Sequence, residues 1–165
     1  MQNPSTKNLL LRAIGFGIFN QLFLLLFLLA PGGMDYWQGW AFVVVNLVAT
    51  TIFIGYYYRH DRELLARRLL RKETVFTQKF IMFVLQRVAV LFYLVCALDH
   101  RFGWSRQRLA PLPGWLSILA LLAYGGGFLL NIPVLNANRF AASVIQVESG
   151  QVLADQGAYR WVRHP

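Results

Sequence analysis

Four long apolar blocks, about Leu9 to Ala30, Trp37 to Tyr58, Phe80 to Leu98 and Trp115 to Leu135, constrain this chain more than any other feature. At ~1.5 Å of rise per residue each is long enough, as a helix, to cross a hydrocarbon core of about 30 Å. Their apolar residues run continuously and lack the short periodic stripes of a soluble core. With 57% hydrophobic and only 14% charged residues, a water-soluble fold could not hide this surface. The expected fold is all-α: one multi-pass transmembrane domain over residues 1–165, with four spans and then a cytoplasmic segment from residue 136 onward.

Breakers delimit the blocks. Pro31-Gly32-Gly33 closes the first, and Pro111, Pro113 and Gly114 precede the fourth. Trp37 and Trp40 at one end of the second block, and Tyr56, Tyr57 and Tyr58 at the other, read as rings at the two headgroup interfaces. The first block follows Lys7 and Arg12 like a signal peptide. It is longer than a typical apolar signal region, and Leu28-Leu29-Ala30-Pro31 is a poor cleavage site, so it reads as a retained span.

Lysine and arginine number 16 against 7 acidic residues, a net charge of +9. In a soluble protein that balance would suggest nucleic acid, but no recognition motif accompanies it. Seven of the basic residues (Arg59, Arg62, Arg67, Arg68, Arg71, Lys72 and Lys79) lie in the second connection, where they can orient the protein and meet anionic lipid. The first connection has none and the third has Arg101, Arg106 and Arg108, so the second is expected in the cytoplasm with both chain ends. Glu63 to Leu70 has amphipathic spacing and is expected to lie along the membrane surface.

A few residues inside the blocks call for an explanation. Arg87, in the third, either snorkels to the headgroups or faces an interior cavity near Asn20 or Gln21. Gly125-Gly126-Gly127 reads as close helix packing, since no strand precedes it as a phosphate loop requires. Asn131 and Pro133 mark either a kink that opens a pocket or a plain exit from the membrane. Cys96, the single cysteine, reads as packing, and His60 and His100 as surface residues without a metal-ligand spacing. No metal is expected.

The segment NANRFAASVIQVESGQVLADQGAYRWVRHP, Asn136 to Pro165, differs from the rest. Val144 to Val147 is strand-compatible, Ser149-Gly150 and Gln156-Gly157 are turn signals, and Pro165 holds the backbone of His164 extended. A basic, aromatic stretch follows directly from a membrane helix. Its plainest reading is an anchor in which Tyr159, Arg160, Trp161 and Arg163 meet headgroups.

This segment resembles the isoprenylcysteine carboxyl methyltransferase family and its phospholipid-methyltransferase relatives. The resemblance rests on Asn138-Arg139-Phe140, Gln146, Ser149-Gly150, Val152-Leu153 and the pattern G-x-Y-x-x-x-R-H-P at Gly157, Tyr159, Arg163, His164 and Pro165. It covers about thirty residues; the rest matches only in being membrane helices. The resemblance implies an integral-membrane methyltransferase using S-adenosylmethionine, whose site is lined by Gln146, Gln151, Val152, Leu153, Ala154, Tyr159, Arg163, His164 and Pro165. It leaves the catalytic residues unassigned and implies a lipophilic or small thiol, carboxylate or amine acceptor, with membrane lipid as the other partner. The chemistry is compatible: a sulfonium can rest against the Tyr159 ring, and a cofactor carboxylate wants a donor such as Arg163 or His164. In the family the motif continues with a tyrosine and further helix, so a chain stopping at Pro165 reads as a fragment of a longer protein or, as the alternative, as a natural truncation that cannot complete the site.

Two alternatives stand beside this reading. Membrane sterol reductases carry a related R-H-P-x-Y segment serving NADPH. The other is a non-catalytic membrane module, although all seven acidic residues lie outside the blocks and give no pair for ion transport.

Overall fold

The computed structural model describes residues 6–70, 75–107, 112–138 and 157–160. Among these, every regular element is helical, and four helices are long and apolar enough to cross a membrane: Asn8–Gly32, Trp37–His60, Phe76–Phe102 and Gly114–Ala137. Each extends beyond its apolar block at one or both ends, by at most four residues at either, because helical hydrogen bonding continues into the polar flanks after hydropathy has fallen.

Helix α1 runs from Thr6–Leu24 through a π turn at Leu25–Leu29 into Ala30–Gly32. Pro31 brings no N–H to the ladder, and the turn before it is widened so that the Ala30 N–H reaches the Leu25 carbonyl. Gly33, at φ 93°, then ends the helix in a conformation that L side chains rarely adopt.

Helix α2 (Trp37–His60) is the centre of the bundle, packing against α1 on one side and α5 (Gly114–Leu129) on another. Gly125 permits the second contact: a Cβ there would lie 3.0 Å from Val45 Cγ1, whereas Gly126 and Gly127 face open space. Close packing thus accounts for one glycine of the three. Helix α4 (Phe76–Phe102) leans on the last turns of α1 and leaves most of its length uncovered, with only 6% of its most apolar window buried. A short helix α6 (Asn131–Ala137) continues α5 after a break at Leu130. Pro133 brings no N–H for the carbonyl four residues earlier, and Asn131 Nδ2 donates to the Phe128 carbonyl at 2.9 Å.

The amphipathic segment forms α3 (Arg62–Leu70), capped by Asp61, whose Oδ1 accepts the Leu64 N–H at 2.9 Å. It does more than rest on a membrane surface. Leu64 and Leu65 are buried with Leu9, Tyr57 and Leu135, so α3 closes one end of the bundle as part of its core. A second core, Leu24, Leu29 and Val43 with Tyr36, Trp40, Phe42 and Tyr93 around it, fills the other half.

Between the cores lies a polar cross-link. Asn46 Oδ1 accepts from Asn20 Nδ2 at 2.5 Å and Gln21 Nε2 at 3.0 Å, while its Nδ2 donates to the Tyr124 hydroxyl at 2.6 Å. Three helices are thereby tied at mid-depth, where an unpaired amide would be expensive. Arg87 takes no part in this cluster. It sits on the exposed side of α4 with its guanidinium 4.5 Å from the Phe83 ring centroid, one turn nearer the Lys79 end, which supports snorkelling over the interior cavity.

Candidate functional site

The end of the bundle reached by Tyr56 to His60 brings polar side chains of α2 and α6 together. Tyr57 is fully buried, a correction to its reading as a headgroup ring. Its hydroxyl lies 3.0 Å from the Ile132 carbonyl and 3.1 Å from Asn136 Oδ1. Asn136 Nδ2 donates in turn to the Tyr56 hydroxyl at 2.9 Å, so one carboxamide is held between two neighbouring phenols. The two rings meet edge to face at 5.1 Å.

His60 extends this arrangement outward. Its ring stacks on Tyr56 at 4.4 Å, and its Nδ1 lies 2.8 Å from the Tyr56 carbonyl, a contact that requires the proton on Nδ1. A neutral ring then presents Nε2 as an acceptor. His60 is exposed, as its sequence context suggests. His100, by contrast, is largely covered: its side chain is 11% exposed, stacked on Tyr36 at 4.4 Å, with Nε2 3.4 Å from Asp35 Oδ2. Its charged neighbours suggested a surface residue because nothing in a linear sequence shows Tyr36 folding over it.

The tail returns to this end. Gly157–Arg160 forms a single 3-10 turn packed on α6. Gly157 has φ 60°, and a Cβ there would stand 3.2 Å from the Ala137 Cβ, so both conformation and contact favour glycine at the first position of the G-x-Y pattern. Tyr159 is half-buried, with its hydroxyl 3.4 Å from Asn138 Nδ2. Of the residues assigned to a cofactor by resemblance, Tyr159 is the one described. Gln146, Gln151, Val152, Leu153, Ala154, Arg163, His164 and Pro165 lie outside the described residues, as does the strand-compatible run Val144 to Val147.

A cavity of about 390 Å³ opens beside these groups, lined by Phe16, Thr50, Phe53, Ile54, Leu65, Arg68, Leu69, Phe128 and Asn131. The break at Leu130 helps form it by letting Asn131 face the space next to Phe128, which favours the pocket-opening reading of Asn131 and Pro133. A second space of about 420 Å³ lies towards the other end, between Tyr36, Phe42, Phe92, Tyr93, Cys96 and Tyr124 among others. Cys96 is half-covered there, in keeping with a packing role.

The sequence offered a weak signal for the Tyr56–Asn136–Tyr57 arrangement, namely a carboxamide in the last turn of an apolar span. Nothing in it paired that amide with tyrosines some eighty positions earlier. Compared with protein-family models, curated proteins and solved structures, the chain matches none.

Proposed function

We propose that this chain is the membrane part of an S-adenosylmethionine-dependent methyltransferase acting on a lipophilic or small thiol, carboxylate or amine acceptor. The observation that carries the reading is the segment Gly157, Tyr159, Arg163, His164, Pro165. It gains support from the seating of Gly157–Arg160 against the end of the fourth span, beside the Tyr56–Asn136–Tyr57 group. The contrast between a first connection without basic residues and a second with seven supports placing this end in the cytoplasm, where the cofactor is made.

Tyr159 fits the group: its ring is half-buried with the hydroxyl held by Asn138, and an aromatic ring of this kind can receive a cation on its face. When bound, S-adenosylmethionine supplies an electrophilic methyl carbon on a positively charged sulfur. Methyl transfer from it would be an in-line displacement by an already anionic or desolvated acceptor. Such a step needs alignment and a dry site more than a general base. The part given to this chain's residues is binding and orientation, with Arg163 and His164 as donors to the cofactor's carboxylate and a membrane-embedded approach for the acceptor.

Calorimetric titration of the full-length protein with S-adenosylhomocysteine and separately with NADPH tests this reading. Binding of S-adenosylhomocysteine, weakened by His164→Ala, is the expected result. Binding of NADPH alone would assign the chain to the reductase class, and binding of neither by a folded sample would leave a non-catalytic module.

A further inference from the structure

Two adjacent arginines on α3 are both half-covered but differ in their partners. Arg67, its side chain 20% exposed, pairs with the exposed Glu63 one turn earlier, Nη2 to Oε1 at 2.6 Å. Arg68 falls on the face of Leu64, Leu65 and Leu69, the face that closes the bundle, and it lines the 390 Å³ cavity. Among the described residues it makes no hydrogen bond or ion pair.

The rest of the lining is almost wholly apolar. Phe16 comes from α1, Thr50, Phe53 and Ile54 from α2, and Phe128 from α5, with Phe53 and Phe128 in edge-to-face contact at 5.8 Å. Desolvation holds the Arg68 guanidinium below its ordinary pKa, yet an arginine remains protonated at any physiological pH. A half-buried charge without a partner is costly, and the deficit is met by an anion that brings its own apolar body. At this depth, where an interfacial helix meets span ends, the bilayer offers such molecules: phosphodiester headgroups at the surface and acyl chains below. A space of ~390 Å³ is within the range that binds small ligands.

The geometry points to a built site for one anionic phospholipid, drawn from the leaflet on the Arg59 to Lys79 side, with its phosphate on Arg68 and an acyl chain between Phe16, Phe53 and Phe128. The guanidinium fork suits two phosphate oxygens at once. This occupant is independent of the methyl-transfer reading, because its binding requires neither the tail nor a cofactor.

Native mass spectrometry of the full chain, exchanged into micelles with equal amounts of phosphatidylglycerol and phosphatidylcholine, provides the test. Wild type is expected to retain one phosphatidylglycerol in preference to phosphatidylcholine. Arg68→Gln should lower that retention by roughly fivefold or more, and Arg59→Gln, at an exposed position, should leave it unchanged. Phe128→Trp keeps the charge and fills the cavity, so it should also lower retention and covers the case in which the Arg68 variant fails to fold. Equal retention of the two lipids by wild type would overturn the proposal. So would undiminished retention in both Arg68→Gln and Phe128→Trp, or displacement of the lipid by millimolar glycerol 3-phosphate, which would show a headgroup site with no chain in it.

Discussion

The tyrosine end and the tryptophan end of the bundle are closed by different means. At the tryptophan end Tyr36 fills the gap left by two glycines: a Cβ at Gly32 or Gly39 would come within 2.6 Å of its Cδ1. Its other face stacks on His100, and Arg101 reaches the Pro31 carbonyl at 3.4 Å. Shape does most of the closing there. At the tyrosine end, closure depends on hydroxyls and a carboxamide shared between α2 and α6, and on a leucine face brought in by α3. The first keeps its polar groups in local pairs, His100 with Asp35 and Asp99 with Ser105. The second concentrates donors and acceptors beside a cavity and beside the returning tail, which is why candidate chemistry belongs at that end.

Removing the keystone of each end should break this contrast most severely. Tyr57→Ala empties a fully buried position touching Leu9, Leu64, Leu65 and Leu135, and should cost about 3 to 5 kcal/mol, as large aromatic truncations do. Tyr57→Phe keeps the packing and loses only the hydroxyl contacts, so about 1 kcal/mol is expected. Thermal unfolding in detergent, monitored by size-exclusion fluorescence, reads both. Tyr36→Leu at the opposite end is expected to resemble Tyr57→Ala in kind, but Tyr36→Phe should be nearly silent, because that end uses the ring. If the two Tyr→Phe variants behaved alike, the distinction between closure by shape and closure by hydrogen bonds would fall.

A smaller effect is expected at the turn that brings the tail back. Gly157→Ala puts a Cβ on a positive-φ residue and against Ala137, a strain of about 1 to 2 kcal/mol. The turn should then detach from α6, with faster tryptic cleavage after Arg160 and weaker S-adenosylhomocysteine binding if the tail forms the cofactor site. Unchanged cleavage would show that the contact contributes little.

How far these contrasts were legible in the sequence follows from what hydropathy measures. It located all four helices, because residues such as Leu22 to Leu29 are apolar whichever way they face. It could not tell Tyr57 from Tyr58, since both sit at a span end and only the helical phase against α6 buries one of them. Amphipathic spacing found α3 but assigned its arginines jointly to lipid; that Arg68 faces inward depends on where Leu64 and Leu65 dock. Asn46 attracted no notice, for a lone amide in an apolar block carries no mark of the three partners it joins. Removing them should be measurable: at ~0.6 kcal/mol per intramembrane hydrogen bond, Asn46→Leu is expected to lose about 2 kcal/mol in the same unfolding assay.

Arg87 should give the smallest effect of all, and it tests the boundary between lipid and protein in a sparsely covered helix. Its guanidinium rests over Phe83 on the exposed side of α4, away from the Asn20, Gln21 and Asn46 cluster. An exposed cation–π contact contributes about 0.5 to 1 kcal/mol, and drawing the charge up to the headgroups offsets a similar amount, so the two nearly cancel when both are removed. Arg87→Leu is therefore expected to shift stability by less than about 0.5 kcal/mol and to leave cofactor binding unaltered. Arg87→Glu sharpens the point, because the shorter side chain cannot reach the surface as far and carries the wrong sign for the Phe83 face; a loss of about 1 to 2 kcal/mol should follow. A large loss in Arg87→Leu, with the fold otherwise intact, would mean that the guanidinium meets a protein partner after all. The exposed flank of α4 would then be an interface rather than a surface for lipid.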